Sequence, residues 1–335
     1  MKNQPIPRLD RNPQLHDYLL KYCRIQKDEI WCDPLGKHRI GCLDAANHTD
    51  IHKLMGDQQA TLALHDPPYN LVAFEQQKLE EFIAWCREWI RNTDFTLAED
   101  SSLYIWLGVD QTAGFQPLPD FMIMMRDMPF KTRSFITMRN QRGYGTQKNW
   151  MAIRQELLFY IKGNPIFNIE GEYTDIPKIL RGYYKEVDGK VTENMERSKS
   201  ENIRAGNVWV DIQQVFYRME ENINGCYAQK PLKSSERIIN ASSRENDIVV
   251  DFFCHSGSTL LASEILKRKC YTIDFDPIYC EIGIRRLEHF RSTGKTGWQN
   301  GNPFEKEIIL DTELQNLLGV TTKEVEGFQY ALTLE

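Results

Sequence analysis

Hydrophobic and polar positions along the chain change period repeatedly, and those changes divide it into strands and helices. Short apolar runs at 38–42, 61–64, 102–107, 134–138, 157–161, 248–253 and 270–275 predict strands. Those at 61–64 and 248–253 are apolar enough for a buried position. Between them, Leu79, Phe82, Ile83, Cys86 and Ile90 recur at helical spacing and predict a helix over 77–91. Further helices are expected at 13–24, at 49–55 with Thr49 or Asp50 near its cap, at 121–128, at 258–267 and at 277–291. Strands alternating with helices predict an α/β fold with a mostly parallel sheet. The rhythm fails between 164 and 207, where mixed charge, Phe167, Tyr173, Tyr183, Tyr184 and turn residues follow no period. Such a long irregular insertion is functional or disordered. Regular structure resumes at 235–240.

Composition narrows the class. A chain of 335 residues can bury a sizeable core as one large domain, or as one domain with insertions. Its 41% apolar and 26% charged content is ordinary for a soluble globular protein. No run approaches the roughly 20 apolar residues of a membrane span. The start, 1–10, carries two prolines and no apolar core of a secretory signal. Eight cysteines stand singly with no C-x-x-C pair, which predicts free thiols in a cytoplasmic protein and no zinc site. The net charge of −6 argues against a generally basic coat for nucleic acid. Its distribution is uneven, however. Residues 131–162 hold seven basic side chains against one acid, Glu156, whereas 301–335 hold seven acids and two lysines. One basic face on an acidic body is compatible with DNA binding there, and equally with a solvated strand edge.

The strongest chemical signal follows the strand at 60–64. Asp66-Pro67-Pro68-Tyr69-Asn70 places an acid, two prolines and an aromatic ring at a strand end. Proline lacks an N–H, so this backbone offers carbonyl acceptors and few donors. A carboxylate beside those acceptors and a flat ring suits an amino group carried on an aromatic heterocycle. Singly, Tyr69 would be a core aromatic and Asp66 a turn-former; their conjunction at a strand end favours catalysis. His65 reads as a wall of this site rather than a base, Trp85 and Trp89 as packing, and no histidine shows ligand spacing.

A second constellation lies far along the chain. The strand ending in Asp251-Phe252-Phe253 runs into the small-residue turn Cys254-His255-Ser256-Gly257-Ser258-Thr259 and then a helix. The next strand, Tyr271-Thr272-Ile273-Asp274, ends in an acid roughly 20 residues beyond the turn, as in βαβ units that bind a nucleoside. Small residues allow close backbone approach, and the acid takes ribose hydroxyls. So few glycines make a weak dinucleotide signal, and an ordinary strand–turn–helix remains open.

Taken together, the Asp66-Pro-Pro-Tyr loop and the Asp251 turn resemble the catalytic and cofactor motifs of amino-methylating DNA methyltransferases that use S-adenosylmethionine. Catalytic motif first, cofactor motif second and a long insertion between them is similar to the β group of that family. Gln229-Lys230-Pro231-Leu232 matches its further cofactor-side motif, and the resemblance spans about 36–292. It implies a Rossmann-like methyltransferase sheet, mostly parallel with helices on both faces, and an inserted target-recognition region. The implied division is an N-terminal arm (1–35), a catalytic half (36–163), a target-recognition insertion (164–207), a cofactor half (208–292) and an acidic C-terminal extension (293–335) that packs on the domain or a partner.

The resemblance also implies roles. Asp66 and the carbonyl of Pro67, followed by Pro68, accept hydrogen bonds from the target amino group, and Tyr69 stacks on an extruded base. Asp66, Asp251, Phe253, His255, Ser256, Gly257, Ser258 and Thr259 surround the cofactor. Asp274 takes its ribose, and Lys230 and Pro231 lie near its methionine end. Arg139, Arg142, Tyr144 and Lys148 in the basic region are candidate DNA contacts, with Trp150 beside them. Implied partners are DNA and, as in members of that group, a second copy of the chain, with neither a metal nor a membrane. The implied location is cytoplasmic, of bacterial or phage type, and nucleoid-associated through DNA. One departure stands out: His255 occupies a turn position where the family has glycine, so a crowded cofactor turn or an altered backbone is expected there.

Such chemistry needs these residues because an exocyclic amino nitrogen is a poor nucleophile, its lone pair being delocalised into the ring. Acceptors out of the ring plane favour a tetrahedral nitrogen and offset its developing charge. The sulfonium methyl must lie in line at about 3–3.5 Å, and a duplex base must first be flipped out. Stacking worth about 1–3 kcal/mol offsets part of that cost. An acid at the first motif position implies adenine N6, since cytosine-N4 enzymes of the family more often carry serine there. Cytosine-N4 methylation and an inactive DNA- or cofactor-binding module are the alternatives. A protein-glutamine methyltransferase would carry asparagine at position 66 and the reverse motif order.

Overall fold

A computed structural model describes residues 13–68, 78–108, 116–146, 149–168, 173–177, 182–195, 201–299, 301 and 303–319. The chain runs through α1 (Pro13–Leu19), β1 (Ile30–Cys32), β2 (His38–Cys42), α2 (His48–Met55), β3 (Ala60–His65), α3 (Leu79–Thr96), β4 (Leu97–Leu107), α4 (Pro117–Met124), β5 (Lys131–Thr146) and β6 (Asn149–Lys162). Short strands β7 (Tyr173–Pro177), β8 (Gly182–Val187), β9 (Lys190–Met195), β10 (Asn202–Arg204) and β11 (Val208–Trp209) follow. Then come α5 (Leu232–Ser242), β12 (Ile248–Asp251), α6 (Ser258–Ile265), β13 (Lys269–Asp274), α7 (Pro277–Thr293), α8 (Glu305–Leu310) and α9 (Thr312–Leu318).

One sheet has the order β1-β2-β13-β12-β3-β4-β6-β5-β11. Its centre, β2 through β4, is parallel, while β1 and β6 run antiparallel to their neighbours. Side-chain alternation along each central strand explains why it is buried on both faces. Ala63, Leu103, Ile105 and Val250 point to one face, where they meet Ile51, Leu54, Phe82, Trp89 and Phe121 from α2, α3 and α4. Leu62, Leu64, Tyr104, Trp106 and Val249 point to the other, against Leu232, Ile238, Leu261 and Ala262 from α5 and α6. This is the Rossmann-like methyltransferase architecture expected from the sequence. Trp89 is fully buried and Trp85 packs against the same cluster, in keeping with a packing role for both.

Several elements differ in extent from the sequence expectation, each for a physical reason. The α2 helix is capped by Asn47, whose side chain accepts the Thr49 N–H, rather than by Thr49 or Asp50. α3 runs on to Thr96, because Thr93 and Thr96 turn their hydroxyls onto the carbonyls of Trp89 and Thr93 and so satisfy themselves inside a helix. β5 and β6 continue well past their apolar centres into a long polar and basic hairpin, where no hydrophobic alternation marks a strand. The span 164–207 contains two small antiparallel pairs, β7 with β10 and β8 with β9, outside the main sheet. The N-terminal region supplies the edge strand β1 as well as α1. Beyond residue 300, α8 and α9 return to pack Ile308 and Leu314 against Leu15, Leu19, Ile278 and Ile282. Tyr18 and Lys21 each reach Asp311 at 2.8 Å. The described part of the acidic extension, up to residue 319, therefore packs on the body of the domain.

The segment leading from the insertion back to α5 is tied down by a buried ion pair, Arg237 Nη2 to Asp211 Oδ2 at 2.6 Å, with both side chains at most 3% exposed. Removing Arg237 leaves the Asp211 carboxylate buried with the more distant Lys233 ammonium, at 3.7 Å. Arg237→Ala is expected to lower unfolding free energy by about 3–5 kcal/mol, read from the midpoint of urea denaturation. A loss under about 1 kcal/mol would show the pair to be no more than a surface contact.

Candidate active site

The site arises where the order of the sheet turns back on itself. From β3 the chain proceeds through α3 to β4 on one side, and from β12 through α6 to β13 on the other. β3 and β12 are parallel neighbours, paired at Leu62 with Val249 and Ala63 with Val250. At such a switch point the loops leave in opposite directions and open a crevice beyond the strand ends. The two constellations, remote in sequence, thereby become adjacent. Asp66, Lys230, Asp251, Phe253, His255, Ser256, Ser258 and Thr259 line one open cleft of about 330 Å³, together with Leu64, Trp106, Ser235 and Cys254.

Lys230 grips the expected catalytic acid. Its ammonium donates to both carboxylate oxygens of Asp66 at 2.8 Å, and lies 5.5 Å from the centre of the Trp106 ring, within cation–π range. The lysine is 11% exposed and the aspartate 25%, so the pair sits at the cleft wall and still meets solvent. Pro231 starts α5 at the N-cap position. Pro67 is buried and Pro68 half-buried; Tyr69 lies outside the described residues.

The turn after β12 is fixed from several sides. Asp251 Oδ1 accepts the Phe253 N–H at 3.0 Å, Cys254 N–H donates to Ile273 at 2.7 Å, and the Ser258 hydroxyl donates to the carbonyl of Lys230 at 2.9 Å. Gly257 has φ +70°, and a Cβ there would lie 3.2 Å from the Cα of Gly283 in α7, so both backbone angle and space call for glycine. Arg286, fully buried on α7, donates to the carbonyls of Ser256 at 2.7 Å and Thr296 at 2.8 Å, bracing the turn from behind.

His255 has φ +44°, in the left-handed region that glycine favours. The histidine holds that angle at a cost of about 1–2 kcal/mol. Its N–H donates to Asp274 Oδ2 at 2.8 Å, and its ring lies 4.8 Å from that of Tyr279, on α7.

Asp274 accepts a second backbone N–H, from Asp276, at 3.0 Å. Burial, against those two bonds, pushes its carboxyl up to about 7. Burial also pushes Asp251 up, opposed by the Thr259 hydroxyl and the Phe253 N–H. A half-buried carboxyl at the end of a second strand, bonded to the small-residue turn that lines the cleft, fits ribose hydroxyls. The cleft also offers the Lys230 ammonium, suited to a carboxylate. These are the contacts a nucleoside carrying an amino acid requires, so the donor set fits S-adenosylmethionine. Among the described residues no group of three His, Cys, Asp or Glu could hold a metal.

Of the basic region's described side chains, Arg139 and Trp150 do not line the cleft. Arg139 is exposed on β5, Arg142 and Tyr144 belong to the same strand's outer part, and Trp150 on β6 is 93% exposed. Lys148 lies outside the described residues. Leu64, Trp106 and Ser235 in the cleft wall, and Arg286 behind it, carry no functional signal in the sequence, and Cys254 enters only as part of the turn. Each sits in an apolar strand, an ordinary turn or a helix, where nothing but the fold distinguishes it.

Comparison with known proteins agrees with this geometry. A family model described as DNA methylase matches residues 60–285, more than half of the chain. The type II methyltransferase M1.MboII of Moraxella bovis is 28% identical over 254 residues, covering 72% of this chain and 92% of its own. The type II methyltransferase M.HpaI of Haemophilus parainfluenzae is 25% identical over 251 residues, 73% of this chain and 74% of its own. DNA adenine methyltransferase YhdJ of Escherichia coli (strain K12) is 25% identical over 236 residues, 69% and 77% respectively. In fold, the chain is similar to the crystal structure of an M1.HpyAVI–SAM complex (TM-score 0.52, 16% identity, 75% of this chain and 98% of that one). It is similar also to the cytosine-N4-specific PvuII DNA methyltransferase (TM-score 0.55, 15% identity, 85% and 94%). The matched span runs from the strand that delivers Asp66 to the helix behind the Asp251 turn, and the chain belongs to this DNA methylase family, as an amino-methylating, S-adenosylmethionine-dependent DNA methyltransferase.

Proposed function

We propose that the protein methylates N6 of adenine at specific sites in DNA, acting on a base flipped out of the duplex. The observation that carries this reading is the Asp66 carboxylate, standing in the same cleft as the Asp251 turn. S-adenosylmethionine supplies an electrophilic sulfonium methyl. The chain's own residues do the rest. Asp66 and the Pro67 carbonyl accept the amino N–H bonds, drawing the lone pair out of conjugation as positive charge develops on nitrogen. For this, at least one Asp66 oxygen must be released from Lys230, whose ammonium is placed to turn toward the carboxylate of the cofactor's methionine end. Asp274 accepts from the ribose, and Asp251, Phe253, His255, Ser256, Gly257, Ser258 and Thr259 enclose the rest of the cofactor. Tyr69 stacks on the flipped base.

An acid at position 66 supports adenine through the family resemblance, in which cytosine-N4 enzymes more often carry serine there. The relative YhdJ is named an adenine methyltransferase. Cytosine N4 is the second reading, favoured by the fold likeness to the PvuII enzyme. For the DNA face we propose the outer β5–β6 hairpin, with Arg139, Arg142, Tyr144, Lys148 and the exposed Trp150; the 164–207 insertion, carrying β7 to β10, reads the target. Type II methyltransferases among the relatives support a place in restriction–modification.

Digestion of DNA treated with the protein and labelled cofactor is expected to yield N6-methyl-2′-deoxyadenosine; label in N4-methyl-2′-deoxycytidine would establish the second reading. Asp66→Ala is expected to lower the transfer rate at least about 10²–10³-fold and leave S-adenosylhomocysteine affinity within a few-fold by calorimetry. Substantial residual turnover would remove Asp66 from its role.

The raised Asp274 carboxyl gives a pH dependence. In the ligand-free protein it is protonated below about 7, whereas ribose hydroxyls donate best to the ionised form. Cofactor binding must then expel a proton at acid pH, so S-adenosylhomocysteine affinity is expected to fall by up to about tenfold per pH unit below 7. Asp274→Asn is expected to remove that slope, and a flat wild-type profile between pH 5.5 and 7.5 would contradict the assignment. Replacing Arg142 and Lys148 together is expected to weaken DNA binding and to reduce its salt slope by about 0.9 for each phosphate that is no longer neutralised. An unchanged slope would place the DNA face elsewhere.

A further inference from the structure

His65 is fully buried between the two halves of the site, and both ring nitrogens are engaged. Nδ1 lies 3.1 Å from the backbone nitrogen of Phe252, which is a donor, so Nδ1 accepts. Nε2 lies 3.0 Å from the Thr93 hydroxyl on α3. That hydroxyl already gives its proton to the carbonyl of Trp89 at 2.8 Å, so it accepts from Nε2. These partners fix one state, the neutral ring protonated on Nε2. Asp251 Oδ1 is 3.9 Å from Nδ1, beyond hydrogen-bond range. The ring stacks on Phe252 at 4.8 Å and meets Trp89 edge-on at 5.6 Å.

The placement gives the ring a task. The pairing of β3 with β12 ends at Ala63 and Val250, and beyond it the strands part to form the cleft. Phe252 N–H, one residue past β12, has lost its ladder and finds instead the side chain of the residue before Asp66. The bond therefore ties the backbone of the cofactor turn directly to the catalytic loop, and the Thr93 bond anchors both to α3. We propose that His65 is a positioning residue, an imidazole clamp that substitutes for the missing strand pairing and holds the Asp66 loop and the Asp251–Phe253 turn in register. The clamp deepens the methyltransferase reading and rests on it.

Two variants separate the clamp from mere packing. His65→Phe keeps an aromatic ring and removes both bonds, leaving the Phe252 N–H buried without its acceptor. His65→Asn restores a carbonyl acceptor near the Nδ1 position. Calorimetry with S-adenosylhomocysteine is expected to show binding weakened about tenfold in H65F, the cost of one unmet buried donor, and recovered to within about threefold in H65N. Single-turnover methyl transfer at saturating cofactor is expected to follow the same order. H65F matching wild type in both measurements, or H65N as weak as H65F, would overturn the clamp. Should H65F not fold, the imidazole ¹⁵N spectrum of the wild-type protein decides: a bare Nδ1 with a protonated Nε2 supports the clamp, and the opposite tautomer or an imidazolium refutes it. Wild-type protein that binds S-adenosylhomocysteine but methylates no DNA would defeat the methyltransferase reading, while the binding series still decides the clamp.

Discussion

The site depends on the parallel pairing of β12 with β3. Two hydrogen-bonded positions, Leu62 with Val249 and Ala63 with Val250, bring strands from distant parts of the chain side by side. Because α3 and α6 carry the chain away in opposite directions, the space beyond those strand ends cannot be filled by either connection. Asp66 and the Asp251 turn face that space. Had β3 and β12 been separated by another strand, the same two motifs would open onto different crevices and could not act on one molecule.

Concentrating three carboxylates at these strand ends creates an electrostatic problem, and each is managed differently. Asp66 shares its charge with the Lys230 ammonium. Asp251 is held by the Phe253 N–H and the Thr259 hydroxyl, with burial working against its charge. Asp274, with two backbone donors, has its carboxyl pushed up to about 7. Part of its charge is therefore missing near neutral pH, and arriving hydroxyl donors favour the ionised form. Arg286 and Gly257 perform the less visible work of holding the turn's backbone where those carboxylates can be reached.

The sequence makes much of this legible because buried parallel strands announce themselves as apolar runs, and their polar ends stand out against them. Asp66 follows such a run, whereas Asp251 and Asp274 stand within the runs 248–253 and 270–275; the strands stop at these two acids, which puts all three at strand ends. Legibility declines where the signal is not periodic. The outer β5–β6 hairpin is held by backbone pairing with polar side chains, and the strands within 164–207 pair outside the main core, so neither leaves a hydrophobic trace. Two side chains escape a reading of the sequence for a different reason. Lys230 belongs to a motif, yet no spacing rule could place it 2.8 Å from an acid so distant in sequence. His65 reads as a wall, and only the adjacency of Phe252 reveals that both of its nitrogens are bonded.

That the two strand ends make a single site is tested most directly by a crystal structure of the protein with S-adenosylhomocysteine. In that complex the ribose hydroxyls are expected on the Asp274 carboxylate, the amino-acid end beside Lys230, and the sulfur facing Asp66 across the cleft. Ribose bound away from Asp274, or a sulfur turned away from Asp66, would contradict it.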